Sequence, residues 1–486
     1  MTDSPPPPQP ESLIAEPVSR LSAEARHNSH RLFSGGVLAL ALVMAYYGYS
    51  AKTTNVIHLY LGLFMFVGAA LPSLLWARRT DSRFPVFEVF MLTGINTYAI
   101  PLLGGHEQLS RYSEDTITGS AFCILLFQIV ANLVYANTSA RPKRSPTWTQ
   151  EVISRDITDY LGYGMALTTI YTALIGFTDW IPSDINSILR AACYGVGIVS
   201  TFIQSRMWGQ GTLPHYRKGI FILQLALQII FSWAALFLIG GISILVLGLL
   251  GYISGGKKIP IFAIVVVLPI VGILHNGKSI MRDKYWEGRN PMPTITELPA
   301  FYSEWISYGL QPSEDQNTRR ETTKLLDRTS LFHVMCLVVS ETPNPRPYLD
   351  GETYSYVPGQ FIPSFFWKGK PPAHVATNTL SVYYGLQLSE DTAKTTIAFG
   401  LITEAYANFG LFGVGLLAGL FAFCFRKFGD WSAHSPILSY PGLVLIVLMA
   451  WSFQAELTLA AWLSSLYQAC FVILGVPFLI RNFIGE

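Results

Sequence analysis

The sequence has few charged residues and few cysteines for a chain of 486 residues. Only 13% of the residues are charged and 51% are hydrophobic, whereas soluble globular proteins have roughly 25% charged residues. Such a chain cannot cover its apolar residues with polar surface, so the composition predicts a membrane protein. The five cysteines are too few for a disulfide framework. The formal net charge of +2 gives no indication of nucleic-acid binding, and we expect no nucleic-acid partner.

The chain also lacks the motifs of several enzyme classes. No Cys/His spacing suits zinc, and neither a P-loop nor an HExxH sequence is present. The long polar segment described below contains no G-x-S-x-G nucleophile motif and no Asp-x-Asp pair. We therefore expect neither a bound metal nor a cofactor.

Apolar segments long enough to cross about 30 Å of hydrocarbon recur along the chain. They predict an all-α polytopic membrane protein with about twelve transmembrane helices. The predicted spans are residues 32–50, 57–76, 84–103, 118–137, 160–178, 185–204, 219–237, 238–254, 259–277, 400–425, 437–454 and 459–480. The stretch 219–254 is too long for one ordinary span at about 1.5 Å per residue. Gly240–Gly241 offers a tight turn at which it can be divided.

Basic residues predict which ends of the spans face the cytoplasm. Lysine and arginine are concentrated in every second connection, whereas the short connections on the other side hold only Lys52 and Arg111. Because cytoplasmic loops are enriched in these residues, both termini are expected in the cytoplasm. The chain then divides into nine spans within 32–277 and three within 400–486, which ends in a short cytoplasmic C-terminus.

Two further parts of the chain are too polar to cross a membrane. Residues 1–31 contain a proline run and no apolar stretch, which predicts a disordered cytoplasmic tail. Residues 278–399 form one large extracytoplasmic loop between the ninth and tenth spans. Within it, the half-apolar segments 301–310 and 325–339 predict amphipathic helices on the membrane surface. Long loops in economical folds are usually functional, so we expect the chemistry in this loop.

A polar face at the start of the tenth span is a candidate site. Glu404 and Asn408 are four residues apart and therefore share a helix face, with Tyr406 turned away from it. Such a face at the outer end of a helix can bind a sugar through hydrogen bonds, but a capping or packing role stays open. Two other charges within spans, Glu88 and Arg190, are at least as consistent with structural pairing or snorkelling.

The extracytoplasmic loop combines basic and aromatic residues. Arg328 precedes a half-apolar stretch, and Trp367, Lys368 and Lys370 follow later in the loop. Arginine suits bidentate contacts with phosphate, and lysine supplies a compact charge. Aromatic rings can stack on sugars or lie at the level of lipid headgroups. Anchoring at the headgroups is the simplest alternative for each of them, and above all for Arg282 just after the ninth span.

An ordered series of motifs across the loop and the tenth span resembles a known family. The matching residues are Arg328 ahead of a hydrophobic helix, Tyr348-x-x-Gly351-x-x-Tyr354, Ile362-Pro363 with Trp367 and Lys370-Pro371, Asn378-Thr379, Tyr384-Gly385, and Glu404-Ala-Tyr406-Ala-Asn408-Phe409-Gly410 with Gly413. The series resembles the oligosaccharide repeat-unit polymerases of bacterial surface polysaccharides, the O-antigen polymerase (Wzy-type) superfamily. One departure is Ser364, because the family pattern has arginine directly after Ile-Pro.

The resemblance implies a GT-C-like helical bundle in the bacterial inner membrane, with the large loop on the periplasmic or outer face. It implies an enzyme that transfers a growing glycan from polyprenyl diphosphate to a sugar hydroxyl of another lipid-linked unit, in contact with the lipid bilayer. A chain-length regulator is a further candidate partner that the sequence leaves open. The expected catalytic residues are Arg328 and Lys370, which would stabilise the leaving diphosphate, and Glu404, which would orient or deprotonate the acceptor hydroxyl. The expected substrate-binding residues are Arg282, His333, Tyr348, Tyr354, Trp367, Tyr406 and Asn408.

Two other function classes stay open. A related membrane glycan ligase would move finished glycan to a different acceptor, and an essential loop histidine, His333 or His374, would favour it. A secondary transporter is consistent with twelve spans and two cytoplasmic termini. Carriers usually show paired halves with their longest loop at the centre, whereas no duplication is visible here and the long loop follows the ninth span.

Overall fold

The structure of the protein is a computed structural model that describes most of the chain from residue 23 to residue 479. It does not describe residues 1–22, 54, 79–84, 139–157, 179, 182, 237, 256–259, 288–289, 312–329, 363–366, 368, 394–395, 433–434 and 480–486. All regular structure within the described residues is helical, without any strand. The all-α prediction is confirmed for this part of the chain.

The helices follow the apolar segments of the sequence closely. In chain order they are α1 (Ala23–Ser50), α2 (Val56–Arg78), α3 (Val86–Leu103, with a π-helical stretch at Ile95–Ala99), α4 (Glu114–Asn137), α5 (Thr158–Phe177), α6 (Ser183–Gln210), α7 (His215–Ala234), α8 (Leu238–Ser254), α9 (Ile261–Arg282), α10 (Leu298–Leu310), α11 (Phe332–Glu341), α12 (Glu352–Ser355), α13 (Val357–Gln360), α14 (Val375–Tyr383), α15 (Leu401–Ser432), α16 (Tyr440–Trp451) and α17 (Leu459–Leu479). Each of the twelve predicted spans overlaps one of these helices.

Several helices are apolar and long enough to cross a membrane. Among the described residues there are six, in α1, α2, α3, α4, α9 and α15. Their outer faces expose large apolar side chains, such as Phe262 (82% exposed) and Leu268 (64%) on α9 and Phe412 (73%) on α15. Exposed apolar surface of this extent needs a lipid or protein neighbour. The apolar helices therefore indicate a helical membrane protein.

The sequence sets the start of several helices locally. Ser113 precedes α4, and its hydroxyl accepts a hydrogen bond from the Thr116 N–H at 3.2 Å. Ser439 precedes α16 in the same way and accepts from the Gly442 N–H at 3.4 Å. Each serine satisfies one of the N–H groups that a first helical turn leaves without a partner.

The stretch 219–254 forms two helices, as predicted, but the break is not at Gly240–Gly241. α7 and α8 are joined at Leu236, whose φ is 60°. The Trp233 indole N–H donates to the Leu238 carbonyl across this turn at 2.9 Å. Both glycines lie inside α8, where an added Cβ at the second one would be 2.2 Å from the indole nitrogen. They therefore allow α8 to pack closely against α7, rather than forming the turn.

Buried glutamines join neighbouring helices of the bundle. Each donates its side-chain N–H to a backbone carbonyl of another helix, and such interhelical hydrogen bonds contribute about 0.6 kcal/mol on average in a membrane protein. The pairs are Gln128 with Met65 (3.2 Å), Gln204 with Leu161 (3.2 Å) and Gln228 with Met165 (3.1 Å). These bonds fix the rotation of α4, α6 and α7 against their neighbours.

Segment 278–399 packs against one end of the bundle. The Leu331 N–H donates at 3.1 Å to the carbonyl of Thr97, in the π-helical stretch of α3. The hydroxyls of Thr377, on α14, and Thr458, just before α17, lie 3.1 Å apart. The segment therefore contacts the C-terminal half of α3 and the N-terminal end of α17. A short connection adjoins each of these helix ends.

The helices of this segment differ from the predicted pair of surface helices. α10 forms, and it packs against α9 in a small core of its own that includes Phe301 and Trp305. α11 is buried in the main core between α4 and α15, and the side chains of Phe332, Met335 and Val338 have no exposed surface. The reason is that α11 carries apolar residues around most of its circumference, and a helix of that kind is buried. Residues 325–329 of the predicted second helix lie outside the described residues.

Candidate functional site

α15 is interrupted eight residues after it begins. Phe409 (φ −140°, ψ 16°) and Gly410 (φ 59°, ψ −146°) are not helical. The conformation of Gly410 is one that essentially only glycine adopts, and an added Cβ there would be 2.7 Å from the Tyr348 hydroxyl. Just before the break, the Ala407 carbonyl accepts a hydrogen bond from the Leu349 N–H at 3.0 Å. The interrupted helix is therefore one of the places where the loop docks on the bundle.

Asn408 connects this break to the segment that leads into α12. Its side chain is completely buried. Oδ1 accepts from the Gly351 N–H at 3.1 Å, and Nδ2 donates to the Thr353 hydroxyl and to the Glu404 carbonyl, each at 2.8 Å. One acceptor and both donors of the amide are thus used, which also fixes its orientation. The shared face predicted for positions 404 and 408 exists, and it points into protein.

Glu404 is also completely buried, and it contacts the start of α17. Its Oε2 accepts a hydrogen bond at 2.6 Å from the N–H of Leu459, the first residue of that helix. A carboxylate at a helix N-terminus is favoured by the unpaired N–H groups and by the helix dipole. Oε1 is buried without a hydrogen-bond partner among the described residues. These contacts favour the capping role that the sequence left open, and they do not test a catalytic one.

Three of the predicted tyrosines surround the break in α15. The Tyr354 ring stacks on Phe409 with centroids 6.0 Å apart, and the rings of Tyr348 and Tyr406 meet edge to face at 6.2 Å. Burial raises the pKa of Tyr354, and the carboxylate of Glu404 raises it further. Tyr406, predicted to turn away from the polar face, still contacts the loop through the ring of Tyr348.

Lys370 and Trp367 belong to a neighbouring part of the loop. The Lys370 ammonium donates to the carbonyls of Gln360 (2.9 Å) and Ile362 (2.8 Å), at the C-terminal end of α13. Burial lowers the pKa of Lys370. Trp367 keeps 42% of its surface exposed and packs against Gly359. Two of the three ammonium N–H donors are therefore used by the local fold.

His333 and Arg282 lie apart from the break. The His333 ring stacks on His106, with centroids 5.0 Å apart and planes 12° apart. Burial, followed by the charges of His106 and Arg111, lowers the pKa of His333 to about 4. Arg282 donates to the Leu236 carbonyl in the turn between α7 and α8 at 2.9 Å. It borders the small core shared by α9 and α10, so its observed contacts are structural.

The structure thus assembles only part of the predicted site. Around the break it brings together Tyr348, Tyr354, Glu404, Tyr406 and Asn408. Arg328 lies outside the described residues, and so does Lys368. Among the described residues, no group of three or more His, Cys, Asp or Glu side chains is arranged to hold a metal ion.

The sequence interpretation missed two residues of this assembly. Thr353 links Asn408 to α12, and nothing in the sequence marks it. Asp350 has a φ of 46° in the turn before α12. The dipeptide Asp350-Gly351 is a recognisable turn signal that could have identified the second residue.

The comparisons with known proteins give one match. A family model described as Domain of unknown function (DUF8712) matches residues 216–426. This range begins in α7 and ends in α15, so it includes the whole of segment 278–399 and the break. No curated protein and no solved structure shows significant similarity to the chain.

Proposed function

We propose that the protein polymerises lipid-linked oligosaccharide repeat units into a surface polysaccharide, as a Wzy-type glycosyltransferase of a bacterial inner membrane. One observation carries the proposal. The segment with the family-like motifs folds onto the broken helix α15, and five of the residues named from those motifs, Tyr348, Tyr354, Glu404, Tyr406 and Asn408, meet there. A polar and aromatic site at one end of an apolar bundle suits a substrate that has a sugar head and a lipid tail.

The proposal includes twelve spans, with both termini in the cytoplasm and segment 278–399 outside. Contacts between connections that the charge pattern assigns to the outer side support it. The Lys52 N–H donates to the Leu103 carbonyl, and the Gly400 N–H donates to the Glu456 carbonyl, each at 3.0 Å. These contacts join the α1–α2 connection to the end of α3, and the end of segment 278–399 to the α16–α17 connection. All four parts belong on one side in the twelve-span arrangement.

In the proposed reaction, the chain supplies charge for the leaving diphosphate and an apolar surface for the polyprenyl tail. Lys370 has one N–H donor left beyond its two carbonyl contacts, and that donor is available for a phosphate oxygen. Arg328 is proposed as the second cation because arginine binds phosphate in a bidentate manner. A positive charge that is held in place lowers the activation barrier most when it lies where negative charge develops. In this reaction, negative charge develops on the oxygen of the leaving diphosphate.

A secondary transporter is the second candidate, and the interruption of α15 favours it. Broken helices next to buried ionisable groups are typical of substrate sites in such proteins, and Glu404 lies one turn from the break. A glycan ligase differs from a polymerase only in the acceptor, so the same geometry supports it equally.

Incubation of the purified protein with a polyprenyl-diphosphate-linked oligosaccharide from its own host separates these candidates. A ladder of products spaced by one repeat unit supports the polymerase. Transfer only to a different acceptor would identify a ligase. Uptake of substrate into sealed vesicles without a new glycosidic bond would identify a transporter.

The Arg328→Ala variant tests the role of the proposed second cation in the same assay. It should abolish the ladder while the folded protein stays in the membrane. Arg320→Ala removes the same residue type from the same segment and should leave the ladder intact. A normal ladder from Arg328→Ala would remove Arg328 from the proposed mechanism.

A further inference from the structure

Asp350 lies in the turn before α12 and has an uncommon backbone conformation. Its φ of 46° is in the left-handed region, which residues other than glycine rarely adopt. The residues that do adopt it are mainly asparagine and aspartate. Gly351 follows with a φ of 92°, and the Glu352 N–H donates to the Leu349 carbonyl at 2.9 Å. Two central residues with positive φ are typical of a type I′ turn.

Two hydrogen bonds hold this turn on α15. The Leu349 N–H donates to the Ala407 carbonyl at 3.0 Å, and the Gly351 N–H donates to Asn408 Oδ1 at 3.1 Å. An added Cβ at position 351 would be 3.0 Å from the Phe409 ring, so the turn fits closely against the break. The backbone on both sides of Asp350 is therefore fixed by buried contacts, which set the position of its carboxylate.

Asp350 is accessible, as is Glu352 two residues later, whereas Glu404 on the polar face of α15 is buried. The side chain of Asp350 is exposed and has no hydrogen-bond or ionic partner among the described residues. Glu404 is completely buried, and one of its oxygens accepts the N–H of Leu459. Three further carboxylates of segment 278–399 contact neighbours, namely Glu297 with Thr294, Glu304 with Lys284 and Glu341 with Arg346. The hydroxyl of an acceptor sugar that approaches from the solvent can reach Asp350, but it cannot reach Glu404.

The surroundings of Asp350 suit a sugar. Tyr348 precedes it by two residues and Tyr354 follows it by four, and their rings pack against Tyr406 and Phe409 respectively. Fixed aromatic rings with a few placed polar groups are typical of small-molecule sites. The turn therefore displays an accessible carboxylate between two aromatic side chains that the bundle holds in place.

We propose that Asp350 is the catalytic residue that orients the acceptor hydroxyl and takes its proton, an inference that rests on the proposed function. The acceptor oxygen forms a bond to the anomeric carbon of the donor sugar. The bond from that carbon to the diphosphate oxygen breaks, and the diphosphate leaves with the electron pair. The hydroxyl proton passes to the Asp350 carboxylate and from there to water. Glu404 and Asn408 are then positioning residues that hold α17 and the turn.

The Asp350→Asn variant tests this role. Asparagine adopts the left-handed conformation readily, so the turn is kept while the carboxylate is lost. The rate of ladder formation should fall by about 10²- to 10⁴-fold, with an unchanged melting temperature. Glu352→Gln removes an exposed carboxylate two residues away and should keep the wild-type rate.

A second variant, Asp350→Gly, separates catalysis from a role in the turn. Glycine accepts the positive φ without strain and leaves space for a small carboxylate. Added formate should restore part of the lost rate in this variant and should have no effect on the wild type. A residue that only shapes the turn would give an active Asp350→Gly variant that formate does not change.

The outcomes distinguish this inference from the proposed function. If the wild type makes a ladder and both Asp350 variants keep its rate, Asp350 is not the proton acceptor and the polymerase proposal stands. If the wild type makes no ladder from the authentic substrate, the polymerase proposal fails and the role of Asp350 fails with it. A ladder that is lost in both variants and partly restored by formate supports both.

Discussion

Single polar residues in the apolar helix α15 are explained by the partners they meet. A polar group that is buried without a hydrogen bond costs about 1–3 kcal/mol, judging from mutational data. Asn408 avoids this cost with three hydrogen bonds, of which one reaches Gly351 in the turn before α12 and one reaches Thr353 in α12 itself. Glu404 offsets part of this cost by accepting a hydrogen bond from the N–H of Leu459. At this scale, both residues act first as connectors between α15, α17 and the loop.

Replacement of Glu404 separates a connecting role from a catalytic one. In Glu404→Gln, the remaining side-chain oxygen can still accept the Leu459 N–H, so we expect a stable protein that still forms the ladder. In Glu404→Ala, the contact is lost and the free energy of unfolding should fall by about 0.5–2 kcal/mol. Thermal unfolding in detergent and the ladder assay measure the two effects. Loss of the ladder in a fully stable Glu404→Gln protein would instead make Glu404 catalytic.

Gly410 provides a second test at the residue scale. In Gly410→Ala, the new Cβ meets the Tyr348 hydroxyl at 2.7 Å in a backbone region that alanine avoids. The free energy of unfolding should fall by about 1–3 kcal/mol. Gly415→Ala is the matched control in the same helix, because nothing lies within 4 Å of the added Cβ. Equal effects of the two substitutions on thermal unfolding would show that the break does not require glycine.

At the scale of elements, α11 is the part of the loop that is built into the core. It lies between α4 and α15, and its first turn brings His333 onto His106. The neutral form of His333 is favoured there because a charged ring would be poorly solvated and would lie close to His106 and Arg111. Docking of α11 therefore depends on the protonation of His333.

The lowered pKa of His333 predicts that the protein loses stability in acid. The pKa of His333 is about 4 in the folded protein, against about 6.5 in an unfolded chain. The unfolded state therefore takes up the proton first, and stability falls as the pH decreases from about 6.5 to about 4, by at most about 1.4 kcal/mol per pH unit. Above about pH 6.5, His333 is neutral in the folded and unfolded states, and this loss of stability is absent.

Melting temperatures between pH 7.5 and pH 5 measure this effect. His333→Phe keeps a ring for stacking and cannot be protonated, so its melting temperature should depend less on pH than that of the wild type. His374→Phe replaces an exposed histidine of the same segment and should keep the wild-type dependence. Identical curves for His333→Phe and the wild type would show that the protonation of His333 does not control docking.

At the scale of the whole molecule, segment 278–399 acts as a cap on one end of the bundle. It is tied to α3 through Leu331, to α15 through Asn408 and to the start of α17 through Thr377. Three separate helices thus hold it, although it is a single insertion between α9 and α15. This arrangement brings the polar residues of the segment against an apolar bundle, which the proposed reaction on lipid-linked sugars requires.

The sidedness of the cap is testable in intact cells. In a variant without the native cysteines, Glu352→Cys should react with a maleimide that does not cross membranes. His215→Cys, at the start of α7 on the side proposed to be cytoplasmic, should react only after permeabilisation. Both positions are exposed in the structure. The reverse pattern would contradict the topology and, with it, the proposed function.

Local patterns in the sequence are enough to predict the helices, their apolar character and the shared face of Glu404 and Asn408. These features depend on apolar length and on spacing within one helix, which are local properties. What this face touches, namely Gly351, Thr353 and Leu459, is visible only in the folded protein, because these partners lie more than fifty residues away in the chain. Local patterns contain no information about such distant contacts.

The same distinction explains which predictions about the site changed. Arg282 is near a lipid boundary in sequence, but its guanidinium donates to the carbonyl of Leu236. The half-apolar pattern around α11 suggested a surface helix, but α3, α4 and α15 pack around it and bury most of its residues. Whether an apolar helix lies on a surface or inside a core depends on how many neighbours the fold brings to it. The sequence thus determined which elements form, and packing decided which of their faces meet.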